Sequence, residues 1–141
     1  MNTNKFLVGG IIGGIAYFLL GYLVWGMLLM DFMTNNAGSA TGVMKTNDQF
    51  IWWALIVGNL FSGFLLSYVL NKSGSNSAGS GAATGAVIGL LVSAGFDFIM
   101  YGVANLSTLN GALVDILAST VVAAVVGGII GGYLGMGKKA G

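Results

Sequence analysis

Two aspartates, Asp97 and Asp115, lie inside apolar stretches of the chain, whereas its other two acids, Asp31 and Asp48, lie in a polar segment. A carboxylate among apolar side chains is costly unless it is protonated, hydrated or paired with a cation, so it commonly marks a proton or ion site. If two carboxyl groups face each other, both cannot ionise cheaply without a counterion, and one should hold a proton. The pair is therefore where we expect chemistry, as a proton or cation site.

Small residues at every fourth position predict that these two aspartates do face each other. Small side chains four residues apart let helices approach closely in a bilayer. The pattern occurs twice in opposite order, so an antiparallel helix pair would match Gly81 with Gly131, Gly85 with Gly127, Gly89 with Ala123, Ser93 with Ser119 and Asp97 with Asp115. The glycines and Ala123 would form a helix-packing seam, and the two carboxyl groups would lie at equal depth.

Three hydroxyl side chains are the expected neighbours of the acid pair. Ser93 and Ser119 lie one turn deeper and could donate hydrogen bonds or bind a cation. Tyr101 lies one turn outward, where it could cover the site or donate a hydrogen bond. The helix dipole favours a charged carboxylate at a helix N-terminus and disfavours one at a C-terminus. We therefore expect Asp115 to be ionised and Asp97 to hold the proton.

A structural role for the same polar residues is the competing interpretation. A proton shared between Asp97 and Asp115 would fasten two helices without any transport or binding, and we favour this interpretation at this stage. Asn59, near the middle of another apolar stretch, is expected to be a buried polar residue. Asparagine in such a position more often joins helices by hydrogen bonds than contacts a substrate.

The composition places the chain among membrane proteins. Hydrophobic residues make up 56% of its 141 residues and charged residues only 6%, whereas soluble domains carry about 25% charged residues. With no His and no Cys, a histidine base, thiol chemistry and a cysteine metal centre are excluded. The net charge of +1 provides no surface for nucleic acid. We expect no enzymatic activity, no cofactor and no metal.

Four apolar stretches, at about 6–30, 50–70, 82–103 and 111–136, are each near or above the ~20 residues that span a bilayer as a helix. They predict an all-α fold, an integral membrane four-helix bundle of two antiparallel hairpins, as one domain over residues 1–141. An outer loop, 31–49, would be a solvated connector. A Ser- and Gly-rich inner loop, 71–81, would be a flexible coil.

The lysines predict the orientation of this bundle. Lys5, Lys72, Lys138 and Lys139 fall on one side of a four-span layout, and only Lys45 falls on the other. Cytoplasmic loops carry the excess of positive charge. The prediction is therefore a multi-pass protein of the cell inner (cytoplasmic) membrane with both termini in the cytoplasm.

The third apolar stretch also carries a family resemblance. Its Gly85-Ala86-Val87-Ile88-Gly89-Leu90-Leu91 segment and the following Gly95-Phe96 are similar to the third-span pattern of a widespread family of short four-helix bacterial inner-membrane proteins. Gly21 to Trp25 resembles the end of that family's first span. The resemblance implies a four-span topology in the inner membrane, and the family has no established activity to carry over.

Two functions remain open from the sequence. In the first, the protein is a non-enzymatic structural or accessory protein that packs into a homo-oligomer or a larger membrane complex, with the lipid bilayer as its surroundings. In the second, it is a small proton- or cation-coupled transporter or channel that uses the Asp97–Asp115 pair. The glycine seam supports the first function, and the equal depth of the two acids supports the second.

Overall fold

The computed structural model describes residues 1–137, and within that range the ordered segments are helical. They are α1 (Thr3–Leu23), a π-helical turn (Val24–Leu28) that continues α1, α2 (Met30–Asn35), a 3₁₀ turn (Asn47–Gln49), α3 (Trp52–Ser73), α4 (Ala78–Val103) and α5 (Leu109–Gly135). The four long helices match the predicted apolar stretches to within a few residues. Each is long and apolar enough to cross a bilayer, which suggests a multi-pass membrane protein.

The two ends of the helical assembly differ in their connections. One end, called the turn end below, holds Lys5 and the short connection 74–77 between α3 and α4. The other, called the loop end, holds residues 36–51 and the connection 104–108 between α4 and α5. The predicted cytoplasmic residues Lys138 and Lys139 lie outside the described residues.

The connection between α3 and α4 is shorter than the predicted flexible loop 71–81, because α3 extends to Ser73 and α4 begins at Ala78. Gly74 ends α3 with a φ of 71°, a left-handed conformation that glycine adopts without strain. Ser77 begins α4, and its side chain and that of Ser80 each accept a hydrogen bond from the other residue's backbone N–H. Ser75 is buried, with its hydroxyl 2.8 Å from that of Thr84. The serines that suggested a coil are therefore helix caps and a buried contact.

The outer loop 31–49 is also more than a solvated connector. It begins with α2, and its next residues pair with the α4–α5 connection. The Gly38 N–H donates to the Leu106 carbonyl and the Ala40 N–H donates to the Asn105 carbonyl, both at 3.0 Å. These bonds connect the hairpin of α1 and α3 to the hairpin of α4 and α5 at the loop end.

The tightest helix pair is α4 with α5, in the antiparallel register that the small residues predict. A Cβ atom added at Gly81 would lie 2.9 Å from the Gly131 Cα, and one at Gly85 would lie 3.1 Å from the Gly127 Cα. One at Gly89 would lie 2.5 Å from the Ala123 Cβ. The absence of these side chains lets the two backbones touch.

A second glycine seam, which the sequence analysis did not pair, joins α1 to α3. A Cβ atom on Gly63 would overlap the Gly10 carbonyl oxygen and the Gly14 nitrogen. One turn further toward the turn end, the Ser67 hydroxyl donates to the Phe6 carbonyl at 2.9 Å. The two hairpins are therefore built alike, each around a contact between helix backbones.

The apolar core lies in the half of the assembly nearer the turn end. Leu66 and Leu70 of α3 and Val126 and Ile130 of α5 are fully buried there, each at most 1% exposed. At the same end the Lys5 ammonium group donates to the carbonyls of Leu134 and Met136, at 2.9 and 3.0 Å. A cation at the C-terminus of α5 complements the helix dipole and closes this half of the assembly.

Candidate proton or cation site

A cavity of about 470 Å³ lies between α1, α3, α4 and α5. It is displaced from the apolar core toward the loop end. Four of the five residues predicted for the proton or cation site line it, namely Ser93, Asp97, Asp115 and Ser119. The fifth, Tyr101, does not line it and is 45% exposed on the surface of α4. The proposed covering role of Tyr101 is therefore not seen.

The two carboxyl groups meet at one wall of this cavity. Asp97 and Asp115 are both half-buried, and their side chains are close enough to share a hydrogen bond. The Oδ2 atom of Asp97 is buried and receives no hydrogen bond from a donor among the described residues. Because two carboxylates offer acceptors only, a proton or a cation between them would satisfy this oxygen.

Trp25, which no sequence pattern predicts as a site residue, completes the acid pair. Its indole Nε1–H donates to Oδ1 of Asp115 at 2.6 Å. The side chain comes from the π-helical turn Val24–Leu28, in which the Leu29 N–H bonds to the Val24 carbonyl at 2.7 Å. Single π-helical turns inside helices frequently occur at functional sites. The bond fixes the Asp115 carboxyl group and leaves Asp97 as the acid with an unsatisfied oxygen.

The two serines line the cavity without bonding to the acids. The Ser93 hydroxyl donates to the Gly89 carbonyl of its own helix at 2.7 Å, so its proton is already used. The Ser119 side chain is half-buried at the cavity wall. Both hydroxyl oxygens keep lone pairs, so they can accept from a ligand or bind a cation.

Asn59 is half-buried at the cavity wall. Its amide nitrogen donates to the Leu55 carbonyl one turn back in α3, at 2.8 Å, so it does not fasten one helix to another. The amide oxygen remains a candidate ligand of the cavity.

The cavity is closed at its floor and open at one side. Leu66 and Val122 form the floor, and both are buried, with the core beneath them. At the side, α3 and α4 stand apart, and the lining residues there are exposed, namely Leu65, Val92 and Phe96. The exposed lining residues of α3 and α4 place an opening on this side, and the buried Leu66 and Val122 close the cavity toward the core.

The donor set that faces the cavity is made of oxygen atoms apart from the Trp25 indole and the Asn59 amide nitrogen. Carboxylate, hydroxyl and amide oxygens suit protons and hard cations, whereas the softer transition metals prefer the imidazole and thiolate groups that this chain lacks.

Comparisons with protein-family models, with characterised proteins and with solved structures give no match for this chain.

Proposed function

We propose that the protein is a non-enzymatic, multi-pass protein of the cell inner membrane that exchanges a proton or a cation at the Asp97–Asp115 pair. The observation that carries this proposal is the buried, unsatisfied Asp97 Oδ2 beside a second carboxyl group in a cavity with no lysine among its lining residues. Such an arrangement needs a positive charge to be stable. A proton or a cation supplies it.

The proposed orientation places the turn end in the cytoplasm and the loop end outside. Lys5 and Lys72 lie near the turn end and Lys45 lies near the loop end, which supports this orientation by the excess of positive charge. The broad apolar faces of the helices then contact lipid. Val87, Leu91 and Ile99 of α4, each more than half exposed, are examples. Association with a second copy or another subunit stays a prediction from the sequence.

Single cysteines can test this orientation directly, because the chain has no natural cysteine. Ser39 is exposed at the loop end, and Gly79 is exposed at the turn end with open space around it. In spheroplasts, a membrane-impermeant maleimide should label Ser39→Cys fully and Gly79→Cys only after the membrane is opened. The reversed pattern would contradict the orientation, and labelling of both in sealed spheroplasts would contradict the spanning topology.

The closed floor favours a carrier over an open channel. Leu70, Val126 and Ile130 are fully buried below the cavity, and a hydrated ion cannot cross such a layer without a rearrangement of the helices. In a carrier, the binding site stays the same while its access alternates between the two sides of the membrane. The flux should therefore saturate as the cation concentration rises.

A flux assay separates transport from mere fastening of helices. Purified protein in liposomes, with a pH-sensitive dye inside, is given a gradient of sodium, potassium or n-hexylammonium ions in turn, with empty liposomes as the background. We expect proton movement coupled to a cation gradient in the natural protein, reduced at least about tenfold in Asp97→Asn and Asp115→Asn, and unchanged in the exposed-loop variant Asp48→Asn. If both site variants lose only thermal stability while all fluxes equal those of empty liposomes, the acid pair is a structural fastening.

A further inference from the structure

The volume of the cavity exceeds what a proton or a bare cation needs. One water molecule occupies about 30 Å³ in the liquid, whereas the cavity measures about 470 Å³. That volume lies within the roughly 300–1,000 Å³ range typical of sites for small organic molecules. The acid pair occupies only one wall, and the remaining space adjoins apolar and aromatic side chains.

The walls of the cavity divide into an anionic part and an apolar part. Tyr17, Trp25 and Phe96 contribute aromatic surface, and Ile88 and Val92 are among the aliphatic residues beside them. Aromatic rings attract organic ammonium groups through the negative face of the ring. None of the described residues that line the cavity is a lysine, so a positive charge between the two acids comes from a proton or from the ligand.

The lateral opening has an apolar rim. Leu65 is 48% exposed, Val92 56% and Phe96 64%, and all three face the gap between α3 and α4. In a bilayer this gap opens toward the hydrocarbon, because helices α3 and α4 themselves span it. A ligand that enters there must carry an apolar group, whereas a small hydrated ion would lose its water at the rim.

We infer that the cavity binds an organic ammonium ion whose alkyl or aryl group enters between α3 and α4 and whose positive charge rests between Asp97 and Asp115. This inference rests on the proposed function, since it identifies the exchanged cation by chemical class. The ammonium hydrogens would satisfy the open Asp97 oxygen. The alkyl or aryl group would lie against Phe96 and the aliphatic wall.

Trp25 provides a reporter inside the site, because its indole bonds to Asp115. Changing Trp52 and Trp53 to phenylalanine leaves Trp25 as the single tryptophan. The protein is placed in nanodiscs of neutral phosphatidylcholine and titrated with n-hexylammonium, with its neutral analogue n-hexanol, with methylammonium and with sodium. We expect a saturable change of Trp25 emission with n-hexylammonium. The affinities for methylammonium and for sodium should be at least about tenfold lower.

Site variants test whether the response comes from this cavity. Asp97→Asn should weaken n-hexylammonium binding about tenfold or more. Phe96→Ala should weaken it several-fold, and Phe98→Ala, an exposed phenylalanine on the same helix that does not line the cavity, should leave it unchanged. Both phenylalanines are exposed, so neither change should prevent folding.

Each contrary outcome overturns this inference in a distinguishable way. An equal response to n-hexanol would show apolar binding without a role for the charge. An equal response to sodium or methylammonium would show that the site takes small cations, which leaves the proposed function standing. The absence of a saturable response to any probe would overturn the inference of an organic ligand. The flux assay then tests the proposed function by itself.

Discussion

Replacing Gly85 by alanine should destabilise the folded protein, although alanine ordinarily favours a helix over glycine by about 0.5–1 kcal/mol. A Cβ atom at Gly85 would overlap the Ala123 carbonyl oxygen and lie 3.1 Å from the Gly127 Cα. Both are backbone atoms, so neither can turn aside as a side chain would. We expect a loss of about 1–3 kcal/mol for Gly85→Ala and separation of α4 from α5 for Gly85→Leu or Gly127→Leu.

Gly95 is the matched control for this prediction. It lies in the same helix, and a Cβ atom there would meet nothing within 4 Å. Gly95→Ala should therefore be neutral or stabilising by up to ~1 kcal/mol, and Val87→Leu, at a 56% exposed position, should stay within about 0.5 kcal/mol. Thermal unfolding in detergent, followed by circular dichroism, measures all five changes. Equal stability of Gly85→Ala and Gly95→Ala would contradict the α4–α5 register.

The α4–α5 pair could be predicted from the sequence because small residues recur at every fourth position in both helices. Such a pattern leaves one antiparallel register that matches small residues with small residues. The α1–α3 pair has no such pattern. Gly9, Gly10, Gly13 and Gly14 present two adjacent faces, whereas α3 offers mainly Gly63 in return. The partner of Gly63 is therefore set by the packed structure and cannot be read from spacing alone.

Composition does not predict the local structure where single side chains decide it. The Ser- and Gly-rich connection resembles a flexible coil, but Ser77 caps α4 and Ser75 bonds to Thr84. Composition alone does not distinguish a serine that caps a helix from a serine in a coil. Attention to Ser77 and Ser80, three residues apart before a long apolar stretch, could have indicated the helix start.

The contact of Trp25 with Asp115 could not be predicted, for a different reason. Tryptophan near the end of an apolar stretch is usually an interfacial anchor, and only the fold reveals a partner 90 residues away. No residue pattern in Val24–Leu28 specifies the π-helical turn that carries Trp25. The acid pair itself was predictable, because its two members end a seam of small residues that determines their relative depth.

The second large effect concerns the protonation of the acid pair. The chain contains four carboxylic side chains, all aspartates, which divide into two that line the cavity and two that are exposed in the outer loop. A shared proton should therefore appear as about one protonated carboxyl group per chain, and it should be displaced when a cation takes its place between Asp97 and Asp115.

Infrared spectroscopy of the protein in liposomes near neutral pH tests this central claim most directly, because a protonated carboxyl group has its own C=O stretching band. We expect that band in the natural protein without added cation. The band should decrease as n-hexylammonium is added. The Asp97→Asn/Asp115→Asn variant should lose the band, and the Asp31→Asn/Asp48→Asn variant, which also lacks two of the four acids, should keep it. A natural protein without the band, or a band that survives in the first variant, would contradict a shared proton at this site.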